Sequence, residues 1–189
     1  MLRNVKLRWL SMLCIAALAL PGLENSALAQ IVPFKVTGGG TAPDGLSVFG
    51  DDSMHNATGT ATYLGKYSGN EGIANVISLE GLEGEFQGTF VFVAANGDRL
   101  ACTYGDKDNG AEVQGTFSLM PVDDGKFIVV FLAEFNPIPG ASTGRFEDVI
   151  NGSFIMLAMT EPITLDLDDD GFTVPFNYTW EGEGWIEFD

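Results

Sequence analysis

Four side chains and one acidic run have the type or spacing to do chemistry. In Asp166-Leu167-Asp168-Asp169-Asp170-Gly171, carboxylates alternate ahead of a glycine. That is the opening of a calcium loop, in which oxygen ligands gather round a hard cation and the glycine makes the sharp turn. The twelfth position of such a loop would be Asn177, where a bidentate Glu is required, and the flanks alternate as strands do, so an EF-hand is excluded. What survives is an acidic hairpin loop that would hold Ca²⁺ weakly through Asp166, Asp168 and Asp170, or else a solvated turn. No other cofactor is expected. Glu134 closes the apolar run FIVVFLAEF, Phe127 to Phe135. Turned into a protein interior it would be an acid or base with a raised pKa, and turned outward an edge charge. Cys102 and Tyr104 share a strand face with Leu100, where a thiol reads first as a small core residue. His55 is the single histidine. It allows no paired-imidazole metal site and reads as a loop residue at a strand entrance.

The elements that must position these residues are strands. Around Asn96-Gly97, Phe86, Gly88, Phe90, Phe92 and Ala94 fall on one face and Gln87, Thr89, Val91 and Val93 on the other, the period of two of a half-buried strand. Asn-Gly predicts a two-residue hairpin turn with positive φ at both residues, returning Leu100, Cys102 and Tyr104 beside the first strand. Phe117 and Leu119, and later Phe176, Tyr178 and Trp180, alternate in the same way. Pro175 cannot donate to a ladder and predicts a bulge or an incompletely paired seam. Turn signals at Gly69-Asn70, Asp108-Asn109-Gly110, Asp123-Asp124-Gly125 and Asp170-Gly171 divide the chain into eight to ten strands. No segment has helical period or length.

The first 29 of the 189 residues have the form of an export signal: Arg3, Lys6 and Arg8, the apolar run Trp9 to Leu20, then Ala27-Leu28-Ala29. The run is too short to span a bilayer, which takes about 20 apolar residues. Its removal takes three of nine basic residues and one of 26 acidic ones, leaving six against 25 and a net charge of −19. So acidic a chain excludes nucleic acid and anionic membranes as partners and keeps the protein dispersed. Its polar strand faces do not fit a membrane-inserted barrel. The expected location is secreted, periplasmic or at the cell surface. Only Cys102 remains after processing, so no internal disulfide forms. Residues 30–52, with Gly38-Gly39-Gly40 and Pro43-Asp44-Gly45, read as a flexible lead-in carrying one short strand, Val32 to Thr37.

Three echoes, Gln87-Gly88-Thr89-Phe90, Gln114-Gly115-Thr116-Phe117 and Asn151-Gly152-Ser153-Phe154, place a glycine within successive strands, as the coiling of a closing sheet demands. The stretches HNATGTATYLGKY (His55 to Tyr67), AANGDRL ending at Leu100, and STGRFEDVING (Ser142 to Gly152) resemble exported bacterial proteins of the allene oxide cyclase-like barrel family, akin to plant dirigent proteins. The resemblance covers roughly residues 52–189. One departure is Tyr63, where many such sequences carry a histidine before Leu-Gly. It implies an all-β fold, a single antiparallel β-barrel of about eight strands over residues 53–189. It transfers no catalytic residue.

Two function classes follow. The favoured one is a non-catalytic module, a secreted barrel that holds a small apolar ligand or builds the cell surface, because no nucleophile–base pair, metal cluster or cofactor loop is evident. The alternative is a cofactor-free isomerase or cyclase acting on an apolar substrate inside the barrel, with Glu134, Tyr104 and Cys102 as its candidate residues. In FIVVFLAEF both faces are apolar. The bulkier row, Phe127, Val129, Phe131, Ala133 and Phe135, is expected inward and Ile128, Val130, Leu132 and Glu134 outward, as a patch covered by the N-terminal segment or a second subunit.

Overall fold

Alternating burial runs along nearly every long segment of the computed structural model, which describes residues 29–47, 51–165, 171–172 and 174–189. The strands are β1 (Gln30–Ala42), β2 (Leu46–Ser47), β3 (Ser53–Ala61), β4 (Gly65–Glu80), β5 (Glu83–Ala94), β6 (Arg99–Tyr104), β7 (Gly115–Pro121), β8 (Lys126–Pro137), β9 (Val149–Thr160), β10 (Ile163–Thr164), β11 (Gly171–Phe172) and β12 (Phe176–Phe188). Three single turns of 3₁₀ helix join them, and no α-helix occurs among the described residues. None of the described helices is long and apolar enough to cross a membrane.

The antiparallel sheet closes in a ring in the order β8, β6 or β7, β5, β4, β3, β1, β12, β9 and back to β8. β6 and β7 share one position. β6 pairs with β5 over Gly88–Val93 and with β8 over Phe135–Pro137, while β7 pairs with the other ends of the same two strands. The ring therefore has eight positions, the size at which side chains can fill a barrel. β10 extends the wall beside β8 at Ile163↔Phe127, and β2 and β11 form a separate ribbon.

The segment expected as a lead-in is part of this wall. β1 runs far past Thr37, paired with β12 at every residue from Gln30↔Phe188 to Ala42↔Phe176 and with β3 from Val36 to Thr41. Its glycines belong to the strand because side chains from neighbouring strands fill the space a Cβ would need. At Gly40 a Cβ would meet the Asn56 carbonyl oxygen and the Tyr178 ring, and at Gly38 the Thr58 carbonyl and the Tyr67 hydroxyl. Gly88, the echoed glycine of β5, is crowded in the same way by the Ile73 carbonyl and the Tyr104 hydroxyl. A tyrosine lying across a cross-strand glycine is the aromatic rescue by which closing sheets tolerate glycine.

Three turn expectations change. The β5–β6 connection has positive φ at Gly97 alone (91°), and Asn96 is not left-handed. Gly97 N–H donates to Ala94 O and Ala94 N–H to Asp98 O, each at 2.9 Å, the pattern of a three-residue loop ending in a left-handed glycine. Asn96 instead spends its side chain on Asp98, through its Nδ2 at 2.8 Å and by accepting the Asp98 N–H. Gly69-Asn70 is no turn; it lies within β4, where the register against β5 shifts between Ser68 and Ile73. Pro175 just precedes β12, which pairs on both sides, so the seam expected there is closed.

β8 faces as expected, with Val129, Phe131, Ala133 and Phe135 buried inside. Two zones make up the interior. Towards the end where β1 begins and β12 finishes, Phe34, Phe92, Leu100, Phe154 and Ile186 are sealed from solvent, with Phe34 and Phe154 rings 4.9 Å apart. At the opposite end, where β3, β8 and β12 begin, the filling is incomplete.

Candidate functional site

That incompletely filled end holds a partly enclosed cavity of about 60 Å³. Ala42, Leu46 and Phe176 line it at the barrel end, and it reaches inward to Phe135, Met156 and Trp180. It exists because alanines occupy inward positions between large residues: Ala133 follows Phe131 and precedes Phe135 on β8, Ala158 stands opposite Phe131 and Trp180, and Ala74 stands opposite Gly88. A cavity of this size has room for a few waters, at about 10–15 Å³ each, but its surface is almost wholly carbon and offers water few partners.

His55 forms part of the wall. It lies inside β3, in alternation with Ser53, Ala57 and Ala61, and its ring points inward, 8% exposed. This corrects the expectation of a loop residue. Gly72 of β4, its register partner, leaves space for the ring, since a Cβ there would sit 2.5 Å from Nε2. Phe90 stacks on the imidazole at 5.3 Å between centroids and Trp180 meets it edge-on at 6.3 Å.

Both ring nitrogens are engaged by tyrosines, Nδ1 with Tyr178 Oη at 2.8 Å and Nε2 with Tyr104 Oη at 3.1 Å. Each tyrosine is also within reach of a backbone carbonyl, Tyr104 of Ile73 O at 2.6 Å and Tyr178 of Asn56 O at 3.1 Å. Burial, with no carboxylate among its hydrogen-bond partners to offset it, pushes His55 down to about 4, so at neutral pH it has one N–H. Four contacts thus share three hydrogens. The shortest assigns the Tyr104 hydrogen to Ile73 O, which leaves the imidazole hydrogen to go either from Nε2 to Tyr104 Oη or from Nδ1 to Tyr178 Oη. In the first arrangement Nδ1 accepts from Tyr178, and in the second Tyr178 donates to Asn56 O. Burial raises Tyr104 and Tyr178, in each case with further repulsion from another tyrosine. A second buried chain runs from Trp180 Nε1 to Tyr67 Oη at 2.6 Å and on to Thr37 O at 3.3 Å. Burial, opposed by the Trp180 hydrogen bond, pushes Tyr67 up to about 12.

The three catalytic candidates are not brought together. Tyr104 lines the cavity, whereas Cys102 is fully buried in the core outside the cavity wall, its thiol pushed far above the ordinary range by burial. Glu134 points out of the barrel, as expected, but is no surface charge: it is 4% exposed beneath the segment joining β6 to β7. Its carboxylate accepts from Ser153 Oγ at 2.6 Å, Glu112 N–H at 2.7 Å and Asn136 Nδ2 at 3.2 Å. Burial alone would raise its pKa, but these bonds and one from the Val113 backbone outweigh it and hold the carboxyl below its ordinary value. A carboxylate held ionised and facing away from the cavity is not the raised acid an isomerase would need.

Arg145 and Tyr63, from the stretches that carry the family resemblance, lie on the surface. Arg145 Nε pairs with Asp98 Oδ2 at 2.8 Å and its Nη1 donates to Tyr63 O at 2.7 Å. Tyr63 occupies an outward turn with φ 64°, far from the cavity lining. Asp166, Asp168 and Asp170 lie outside the described residues, and among those described no group of three acidic, His or Cys side chains could hold a metal ion. The comparisons with known proteins return nothing: no family model, curated protein or solved structure matches this chain.

Proposed function

We propose that this protein binds a small, uncharged apolar ligand in one end of its barrel without transforming it. The observation that carries the reading is a cavity walled by carbon whose polar neighbours are spent on each other and on backbone carbonyls. An apolar ligand there gains burial and dispersion contacts and forfeits no hydrogen bonds. The cofactor-free isomerase alternative has His55, Tyr104 and Tyr178 as the titratable groups lining the cavity. An imidazole at about 4 is a weak base at neutral pH, and a tyrosine raised by burial is a weak acid, so neither is matched to proton transfer.

The rest of the proposal concerns setting. Residues 1–29 are read as an export signal and the mature protein as secreted, periplasmic or at the cell surface, which the intact mass of the exported form would test. Solubility in water is supported by charges distributed over the outer wall, among them Lys35 and Glu183, paired at 3.1 Å, and Glu71, paired with Arg99 at 2.7 Å. A lipid-facing wall would carry an unbroken apolar band. The allene oxide cyclase-like resemblance is kept as a proposal about ancestry. A second copy of the chain is proposed to cover Leu132, Leu157 and Met159, which are exposed side by side on β8 and β9.

Xenon tests the cavity directly, being apolar, small and chemically inert. Saturable xenon-dependent NMR shifts are expected at the methyls of Ala133, Ala158 and Met156, and should vanish in Ala133→Val. Absence of saturable shifts in the parent, or equal shifts in the variant, overturns the reading.

A further inference from the structure

Resting on that binding site, we infer that the ligand is a single-chain amphiphile whose alkyl tip enters the cavity while a neutral or cationic head group stays outside. At about 60 Å³ the cavity is well under half the ~150 Å³ in which a protein interior holds benzene. A ring does not fit whole, but the thinner end of an unbranched chain does. The cavity cannot lengthen inward, because Phe34, Phe92, Phe154 and Leu100 seal the other end of the barrel. It is only partly enclosed at the end lined by Ala42, Leu46 and Phe176, so the remainder of a longer molecule lies there.

The charges at that end select the head. Asp44 stands exposed in the turn between Ala42 and Leu46, both of which line the cavity. Exposed Asp51 and Asp52 lead directly into β3, four and three residues before His55, with Asp52 accepting from Asn75 Nδ2 at 3.3 Å. Exposed Glu161 follows β9, its N–H donating to Asn177 O beside Tyr178. Against these four carboxylates, exposed Lys126 at the start of β8 is the cation of this end among the described residues. A carboxylate, sulfate or phosphate head would meet like charge, whereas an ammonium or an uncharged hydroxyl head would not. Inside, neither nitrogen of His55 is free to receive an ionic group, so the chain tip must carry none.

The test is calorimetry at neutral pH and low salt with octyltrimethylammonium, octyl glucoside and octyl sulfate, all below their micellar concentrations, and with butyltrimethylammonium for chain length. The octyl cation should bind about tenfold more tightly than the octyl anion, with the gap closing as salt screens it. The butyl cation should bind more weakly than the octyl one. Ala133→Val, with Ala74→Val as the second filling variant should the first not fold, should weaken every octyl compound. Asp44→Asn combined with Asp52→Asn should narrow the head-group gap and leave octyl glucoside unchanged. Octyl sulfate binding as tightly as the cation, or affinity indifferent to chain length, overturns the inference. Xenon entry without octyl binding overturns the amphiphile and leaves the apolar-ligand reading standing, and failure of both removes the two together.

Discussion

Replacing Glu134 by Gln should destabilise the protein by about 2.5–6 kcal/mol at neutral pH. The carboxylate has two oxygens in use: Oε2 accepts from the Glu112 N–H, and Oε1 accepts from Ser153 and Asn136. A glutamine of the same shape keeps one acceptor and turns an NH₂ towards donors on the other side, so at least one hydrogen bond to a charged group is lost, worth about 1.5–3 kcal/mol. The donor left facing an NH₂ in a site 4% exposed adds a comparable desolvation cost. For a chain of this size each kcal/mol moves the melting temperature by roughly 2–4 °C, so the variant should melt about 5–24 °C lower. The pH dependence has a definite sign. The folded carboxyl lies below its ordinary value of 4.5, so the folded state favours the ionised form. That stabilisation is fully present above about pH 4.5 and is lost as pH falls through the lower, folded value. Differential scanning calorimetry of parent and Glu134→Gln from pH 7 to pH 3 should therefore show the gap between them shrink on acidification. Equal melting at pH 7, or a gap that widens towards pH 3, refutes the reasoning.

His55 carries the opposite chemistry and a different window. An imidazole lowered from 6.5 to about 4 takes up its proton first in the unfolded chain, so stability falls as pH drops through that interval, by about 3 kcal/mol in all. Chemical denaturation at pH 7 and pH 4 should show that loss in the parent and much less of it in His55→Phe; an equal loss in both removes the assignment. Gly88→Ala should fail to fold or melt far lower because its Cβ meets the Ile73 carbonyl, whereas Gly81→Ala, in open space at φ 66°, should cost only about 1–2 kcal/mol. Circular dichroism melts compare the two, and similar stability for both would contradict the crossing described at Gly88. Val130→Lys should leave the melting temperature near that of the parent and reduce association in sedimentation, while Phe131→Lys should unfold the barrel by burying an unpaired charge. The reverse result would mean that β8 faces the other way.

The barrel was legible because alternation is a local property. Phe131 and Phe135, or Phe90 and Phe92, declare their face from their neighbours alone, and the bulk of the rows decides which face turns inward. The site was far less so. His55 reads as a loop residue because Asn56, Thr58 and Thr60 draw attention to the polar face. The available signal was its phase: with Ser53, Ala57 and Ala61 it continues the small-residue row backwards, and small residues facing inward are what make room for rings from across the barrel. No spacing in the chain links His55 to Tyr104 and Tyr178, which lie 49 and 123 residues away, since only closure of the ring places them together. Glu134 failed differently. Its strand phase was right, but the segment that covers it is irregular, and irregular backbone leaves no period from which burial can be read.

The pairing of β1 with β12 along all thirteen residues of β1 sets the order in which this molecule can come into being. The two halves of that seam lie at opposite ends of the described chain, so the ring closes only once nearly everything between them exists and has been drawn together. Until then β1 and β9 each present a bare edge where β12 will lie. An edge of that length invites pairing with whatever strand arrives first, including one from another molecule. Contacts of such long sequence separation also place the protein among slow folders. The period between emergence of β1 and arrival of β12 is therefore when the chain is most exposed to aggregation, and a chain shortened before Phe176 would remain in that state permanently.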